Sequence, residues 1–224
     1  PRATAKTTGL GILEQAAAAG KHLLLFCYKE DDEATRAARR VFDAAARTSA
    51  KRAVSAVVKV TDAAQKDLVA KFQLDRAPMP LALVVAPSGA ITGGFPTKFT
   101  EEQLTDAFVS PGLASCLKAL QDGKLVLLCV QNSTTKSNAA AMQGVNAFKA
   151  DDRFAKSTEV VKVDPTDSRE LKFLTQVRID PKTGEAVTAL MAPPGSVVAA
   201  YTGATDKEVM IAALAALQAG GGGG

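Results

Sequence analysis

The residues able to do chemistry are few, and their spacing limits what that chemistry could be. Cysteine occurs only at positions 27, 116 and 129. An odd number at long intervals is not a disulfide framework. No Cys-x-x-Cys pair exists for thiol exchange, which needs an attacking thiolate. Cys27 and Cys129 lie inside apolar runs, where a thiol acts as a small hydrophobe. Cys116 falls in a helical stretch and is the one expected to have some exposure. His22 is the single histidine, so no multi-histidine metal site can form. Asp31, Asp32 and Glu33 could offer oxygen ligands to a hard cation. They stand just before a helical pattern, however, and read first as its N-terminal cap. Ser133-Thr134-Thr135 reads as an ordinary cap too, because no glycine-rich loop accompanies it. No motif specifies a cofactor or a small-molecule substrate.

These positions belong to a chain that repeats itself. Gly20-Lys21 precedes the apolar run His22–Cys27, and Gly123-Lys124 precedes Leu125–Cys129. Val57-Val58-Lys59-Val60 recurs unchanged as Val160-Val161-Lys162-Val163. Leu83–Gly89 returns as Leu190–Gly195, and Thr100 and Thr205 each open a final helix. The matches keep one order at an offset of about 102 to 106 residues, so a whole domain is duplicated. Expected boundaries are residues 1–109 and 110–219, with 220–224 a flexible glycine tail.

Within the first copy, Gly9–Gly20 reads as a helix stopped by glycine, and Leu23–Cys27 as a strand buried on both faces. In the next segment Ala38, Val41, Phe42 and Ala45 form an apolar helical stripe opposite Arg36, Arg39 and Arg40, which are expected to be solvated. Ala53–Val60 reads as a second buried strand and Ala63–Phe72 as a short helix. Leu81–Ala86 and Ala90–Gly93 read as a hairpin, and a last helix starts at Thr100, with Gln103 in the capping-box position. The order α-β-α-β-α-β-β-α predicts parallel pairing through helical crossovers and an antiparallel edge from the hairpin. The second copy gives helices at Leu113–Gln121, Ser137–Asp151, Ser168–Val177 and Asp206–Gln218. Its strands are Leu125–Val130, Glu159–Asp164, Val187–Met191 and Val197–Tyr201.

Composition narrows the partners. The chain carries a net charge of +4 and a pI near 9.0. The basic stretch Arg36–Arg52 reads as a solvated face, so nucleic acid is not expected. No apolar run approaches the roughly 20 residues of a membrane span. The sequence begins at Pro1 without a visible signal peptide, as a processed or trimmed chain would, and leaves the compartment open.

This order, with Met79-Pro80 ahead of the third strand and a Gly-containing hairpin turn, resembles the thioredoxin superfamily over both copies. The resemblance implies an α/β fold of two thioredoxin-like three-layer domains, each a central mixed sheet flanked by helices. It implies a cis proline at Pro80, beside the family's active site. The second copy has Ala186 there, unless Pro181 substitutes across an inserted loop. The family's cysteines would stand at about Asp31–Ala34 and Ser133–Lys136, and neither stretch has one. The expected function is therefore a non-catalytic binding or scaffolding module, similar in plan to the paired redox-inactive domains of protein disulfide isomerase. Protein or peptide would bind around Asp31, Asp32, Met79 and Pro80, with no catalytic residue, cofactor or metal. Two alternatives stay open: a redox enzyme using a lone cysteine or cysteines elsewhere in a longer protein, and a structural subunit that self-assembles.

Overall fold

An uninterrupted apolar run is stable as a strand only where both of its faces are covered, and that decides the position of His22–Tyr28 (β1). The computed structural model describes residues 9–220. The chain divides into two compact units, Pro1–Val109 and Ser110–Gly224. In unit 1, β1 follows α1 (Gly9–Ala18) and is followed by α2 (Glu33–Thr48) and β2 (Ala53–Lys59). A 3-10 turn at Ala63–Gln65 then runs into α3 (Lys66–Lys71), before β3 (Leu81–Val85), β4 (Ile91–Pro96) and α4 (Glu101–Asp106). The sheet order is β2-β1-β3-β4.

Side-chain alternation along β1 builds three layers. Leu23, Leu25 and Cys27 pack with Ile12 and Ala16 of α1 and Leu68 of α3. Leu24 and Phe26 point the other way, onto Ala38, Phe42 and Ala45 of α2 and Leu104 of α4. Each fully buried Leu or Phe contributes about 1.5–3 kcal/mol by transfer, so the central strand anchors both helix layers. Of the arginines opposite the apolar stripe, Arg36 and Arg40 are exposed. Arg39 is not simply solvated. Its guanidinium lies 5.7 Å from the centroid of the Phe26 ring and donates to Asp43 at 3.0 Å.

Two strand expectations need correction. β2 is an edge strand whose outer residues Val57 and Lys59 are exposed, so it is not buried on both faces. The helical crossover pairs β1 with β2 in parallel, but β3 joins β1 antiparallel even though a helix precedes it. The nine residues between α3 and β3 carry the chain back to the C-terminal end of β1, where β3 begins.

Unit 2 holds α5 (Pro111–Gln121), β5 (Leu125–Val130), α6 (Asn138–Ala150), β6 (Thr158–Val163), α7 (Leu171–Gln176), β7 (Val187–Ala192), β8 (Ser196–Thr202) and α8 (Lys207–Gly220). Its sheet order is β6-β5-β7-β8. The glycine tail expected from residue 220 falls mainly on residues 221–224, which lie outside the described residues; Gly220 itself ends α8.

Register shows which residues correspond between the units. Cys27 faces Leu81 at the start of β3, and Val130 faces Val187 at the start of β7. Cys27 therefore matches Val130, and Phe26 matches Cys129. A shift of one residue moves a side chain to the other face of the sheet. Cys27 lies in the α1/α3 layer, whereas Cys129 packs with Val145 and Phe148 of α6. The repeated Val-Val-Lys-Val is likewise out of step. Val58 pairs with Cys27 and Val163 with Val130, so Val58 matches Val163 and not Val161. The slip is two residues, which leaves every side chain on its expected face.

Candidate functional site

Three loops of unit 1 meet at one end of its sheet. Pairing of Cys27 with Leu81 sets the chain leaving β1 beside the chain entering β3. Lys29 Nζ donates to the Asp75 carbonyl at 3.3 Å, tying the first loop to the second. Thr97 N–H donates to the Pro80 carbonyl at 2.6 Å, bringing in the loop after β4. That loop ends at Thr100, which caps α4 in a full capping box with Gln103.

The four expected site residues all lie on the first two of these loops, in unequal roles. Asp32 is the N-cap of α2, its carboxylate accepting the Thr35 N–H at 2.7 Å. That backbone hydrogen bond, joined by one from the Thr35 side chain, holds its carboxyl below the usual range. Asp31 is exposed, with its carbonyl taken by Arg36 and its carboxylate 3.9 Å from the same guanidinium. The Met79 side chain is half-buried and packs on the α1/α3 layer. Among the described residues, the Met79 N–H and C=O make no hydrogen bond. Pro80 is buried, and the Met79–Pro80 peptide bond is cis.

In each unit, a four-stranded mixed sheet with one parallel crossover pair and two helices on each face decides the fold. Both units are thioredoxin-like. No family model matches the chain, and no curated protein does. Among solved structures, the first two thioredoxin domains of Saccharomyces cerevisiae Eps1p are similar at 13% identity, over 95% of this chain and 97% of that one, with a TM-score of 0.34. Human ERp44 form II is similar at 11% identity, over 98% of this chain and 59% of that one, with a TM-score of 0.41. The Drosophila germline thioredoxin Deadhead is similar at 18% identity over 45% of this chain and 90% of its own, with a TM-score of 0.36.

The second thioredoxin-like unit departs at the proline position. The Gly203 N–H donates to the Ala186 carbonyl at 2.7 Å, as Thr97 does to Pro80, so Ala186 matches Pro80 and Glu185 matches Met79. Pro181 lies five residues before Ala186 and does not take its place. The cis bond of this unit is Pro193–Pro194, in the β7–β8 turn.

The helix start also differs. The buried trio Ala38, Phe42 and Ala45 of α2 matches Ala141, Val145 and Phe148 of α6 in spacing, yet Lys136 and Ser137 are not helical. Ser133–Thr135 is therefore no helix cap. The Asn132 side chain accepts from the Thr134 and Thr135 N–H groups and donates to Asp164, folding the segment into a turn. Lys136 then pairs with Glu185 as an isolated parallel bridge. Nothing in the residue pattern announced this pairing except alanine at the proline position, which adds an N–H that must find an acceptor.

None of the thiols lies on either loop cluster: Cys27 and Cys129 sit within β1 and β5, and Cys116 within α5. Cys27 and Cys116 are wholly buried and Cys129 is 2% exposed. Burial pushes the first two up to about 12 and the third to about 11. Cys116 thus departs from the exposure expected of it. It sits on the inner face of α5 among Val126, Val161 and Leu174, and the Glu170 carboxylate also disfavours its thiolate.

Proposed function

We propose that unit 1 is a non-catalytic binding module for extended polypeptide, engaged through the main chain of Met79 beside cis-Pro80. The observation that carries this reading is the unpartnered Met79 backbone at the junction of three loops. A strand-like segment gains affinity from main-chain hydrogen bonds of this kind. Glu30, Asp31 and Glu33 are exposed around the start of α2, where Asp32 keeps the helix start in place. The three buried, high-pKa thiols weigh against a lone-cysteine redox enzyme, since a reactive thiol must be exposed and readily ionised.

Fluorescence anisotropy of a labelled, reduced and carboxamidomethylated lactalbumin tests the reading. Wild type should bind it saturably, and Met79→Leu, which keeps the N–H, should bind equally well. Met79→Pro, which deletes the N–H, should weaken binding about tenfold, one lost hydrogen bond of roughly 1 kcal/mol or more. Equal binding by Met79→Pro, or no saturable binding by wild type, would overturn the proposal.

A further inference from the structure

We infer that unit 2 carries a self-association surface: the β8 edge and the outer flank of α8 together receive the same two elements of a second copy of this chain. An edge strand offers unpaired backbone groups to another chain, and proteins guard such edges with charge, proline or distortion. The four edge strands differ in this respect. β2 carries Lys59, β6 carries Glu159 and Lys162, and β4 holds Gly93-Gly94 and ends at Pro96. β8 has no charge, proline or glycine. Its guard is a bulge: Leu190 pairs with Ala199 and Met191 with Val197, so Val198 falls out of register. Past the bulge the edge is open. Gly203 N–H bonds Ala186 across β7, and antiparallel residues alternate, so Tyr201 faces β7 while Ala200 and Thr202 aim their N–H and C=O groups outward.

α8 flanks this edge and lacks a solvent-facing side. It has no charged residue after Glu208, and a helix that is apolar all round is normally covered. Met210 and Leu214 face the core, and Lys207 reaches Asp151, the C-cap of α6, at 3.5 Å. Val209, Ala213, Ala216 and Leu217, spaced i, i+4, i+7, i+8, form the flank away from α6. The Tyr201 hydroxyl donates to the Val209 carbonyl at 3.1 Å, which ties that flank to the edge strand. Among the described residues five large apolar side chains are exposed, and Val197, Val209 and Leu217 of β8 and α8 are three of them. The matching helix of unit 1, α4, is instead a short one bearing Glu101, Glu102 and Asp106. Symmetry names the occupant. Pairing β8 with its own copy, antiparallel about Tyr201, sets Ala200 opposite Thr202 twice and forms reciprocal backbone hydrogen bonds. It also brings the two Tyr201 rings together as a cross-strand aromatic pair. The two-fold axis stands perpendicular to the sheet, so both α8 helices lie on one face and meet along uncharged flanks. One edge pairing and one helix seam make a small interface, so the dimer should be dissociable, with a Kd of about 10 μM.

Sedimentation equilibrium of the full chain tests this over concentrations that span the expected Kd. The 23.2 kDa chain should move toward twice its mass as concentration rises. Ala200→Pro removes one outward N–H and spares the ladder to β7, and it should weaken the dimer about tenfold. Ala216→Lys sets a charge in the helix seam, suits the last turn of a helix, and should weaken the dimer at least as much. Ala215→Lys, exposed on another side of α8, should leave the dimer unchanged. In residue-resolved amide exchange of the wild type, Ala200 and Thr202 should exchange more slowly as concentration rises. A wild-type chain that keeps its monomer mass at a hundred times the expected Kd would overturn the inference. So would a dimer that tolerates Ala200→Pro or Ala216→Lys, one that Ala215→Lys weakens equally, or one whose Ala200 and Thr202 exchange is independent of concentration.

Discussion

Thr97→Gly should stabilise unit 1, although it deletes a side chain. Thr97 has φ +62°, the left-handed region, and it is β-branched. Such a residue costs about 1–2 kcal/mol there. Its exposed side chain makes no hydrogen bond, so little contact is lost. The conformation persists because its N–H is fixed to the Pro80 carbonyl at 2.6 Å, across the candidate site. Glycine relieves the strain but adds freedom to the unfolded chain, an offset of about 0.4–1 kcal/mol. The net gain is about 1 kcal/mol. With an m-value of about 2 kcal/mol/M, the urea midpoint of unit 1 should rise by about 0.5 M. Unit 2 supplies the reciprocal test, because Gly203 holds the matching position at φ +80°. Gly203→Thr should lower the midpoint of unit 2 by a similar amount. Urea titration followed by residue-resolved NMR separates the two units. A lowered midpoint for Thr97→Gly, or an indifferent Gly203→Thr, would refute the argument that these two positions are equivalent and strained alike.

Further outcomes follow from the buried groups. His22 is 9% exposed, its ring centroid 5.0 Å from that of Phe108, with Arg52 over the far ring at 4.8 Å. Burial, then the Arg52 charge, holds its imidazole below the usual 6.5. The unfolded chain thus takes up the proton first, so the His22 contribution is fully present above pH 6.5 and is lost as pH falls below it. His22→Leu, copying Leu125 of unit 2, should flatten the slope of the unit 1 midpoint between pH 7.5 and 5; an unchanged slope would contradict this. Thiol labelling with an aromatic disulfide at pH 8 should modify none of the three cysteines in the folded protein as fast as a free thiol, and all three after denaturation. Rapid labelling of Cys116 would contradict its burial. Gly144→Ala should lower the unit 2 thermal midpoint sharply, because its Cβ would run into the Thr205 carbonyl and backbone yields poorly; a midpoint within 1 °C of wild type would show that the loop moves aside, since about 1 kcal/mol corresponds to several degrees.

Much of this was legible from residues with local physical consequences. Asp32 and Thr100 cap the helices expected of them, and Met79-Pro80 stands cis before β3, which only the family resemblance had implied. Core faces were legible because Leu23–Cys27 alternates between two helix layers whichever neighbour it pairs with. Register was not. The identical Val57–Val60 and Val160–Val163 suggested an alignment that is two residues off, and an even slip leaves the burial pattern unchanged. The antiparallel entry of β3 and the Lys136 bridge are long-range backbone choices, and side-chain pattern carries little information about either. The left-handed Thr97 had no signal, since threonine is a poor residue for that conformation.

The central claim is that the open Met79 backbone of unit 1 receives extended polypeptide. The most direct measurement is residue-resolved amide exchange of the wild-type chain with and without saturating reduced, carboxamidomethylated lactalbumin. Protection should rise at the Met79 N–H, with smaller changes across residues 29–32 and 97–100. Unchanged exchange at Met79, with protection appearing elsewhere or nowhere, would contradict it.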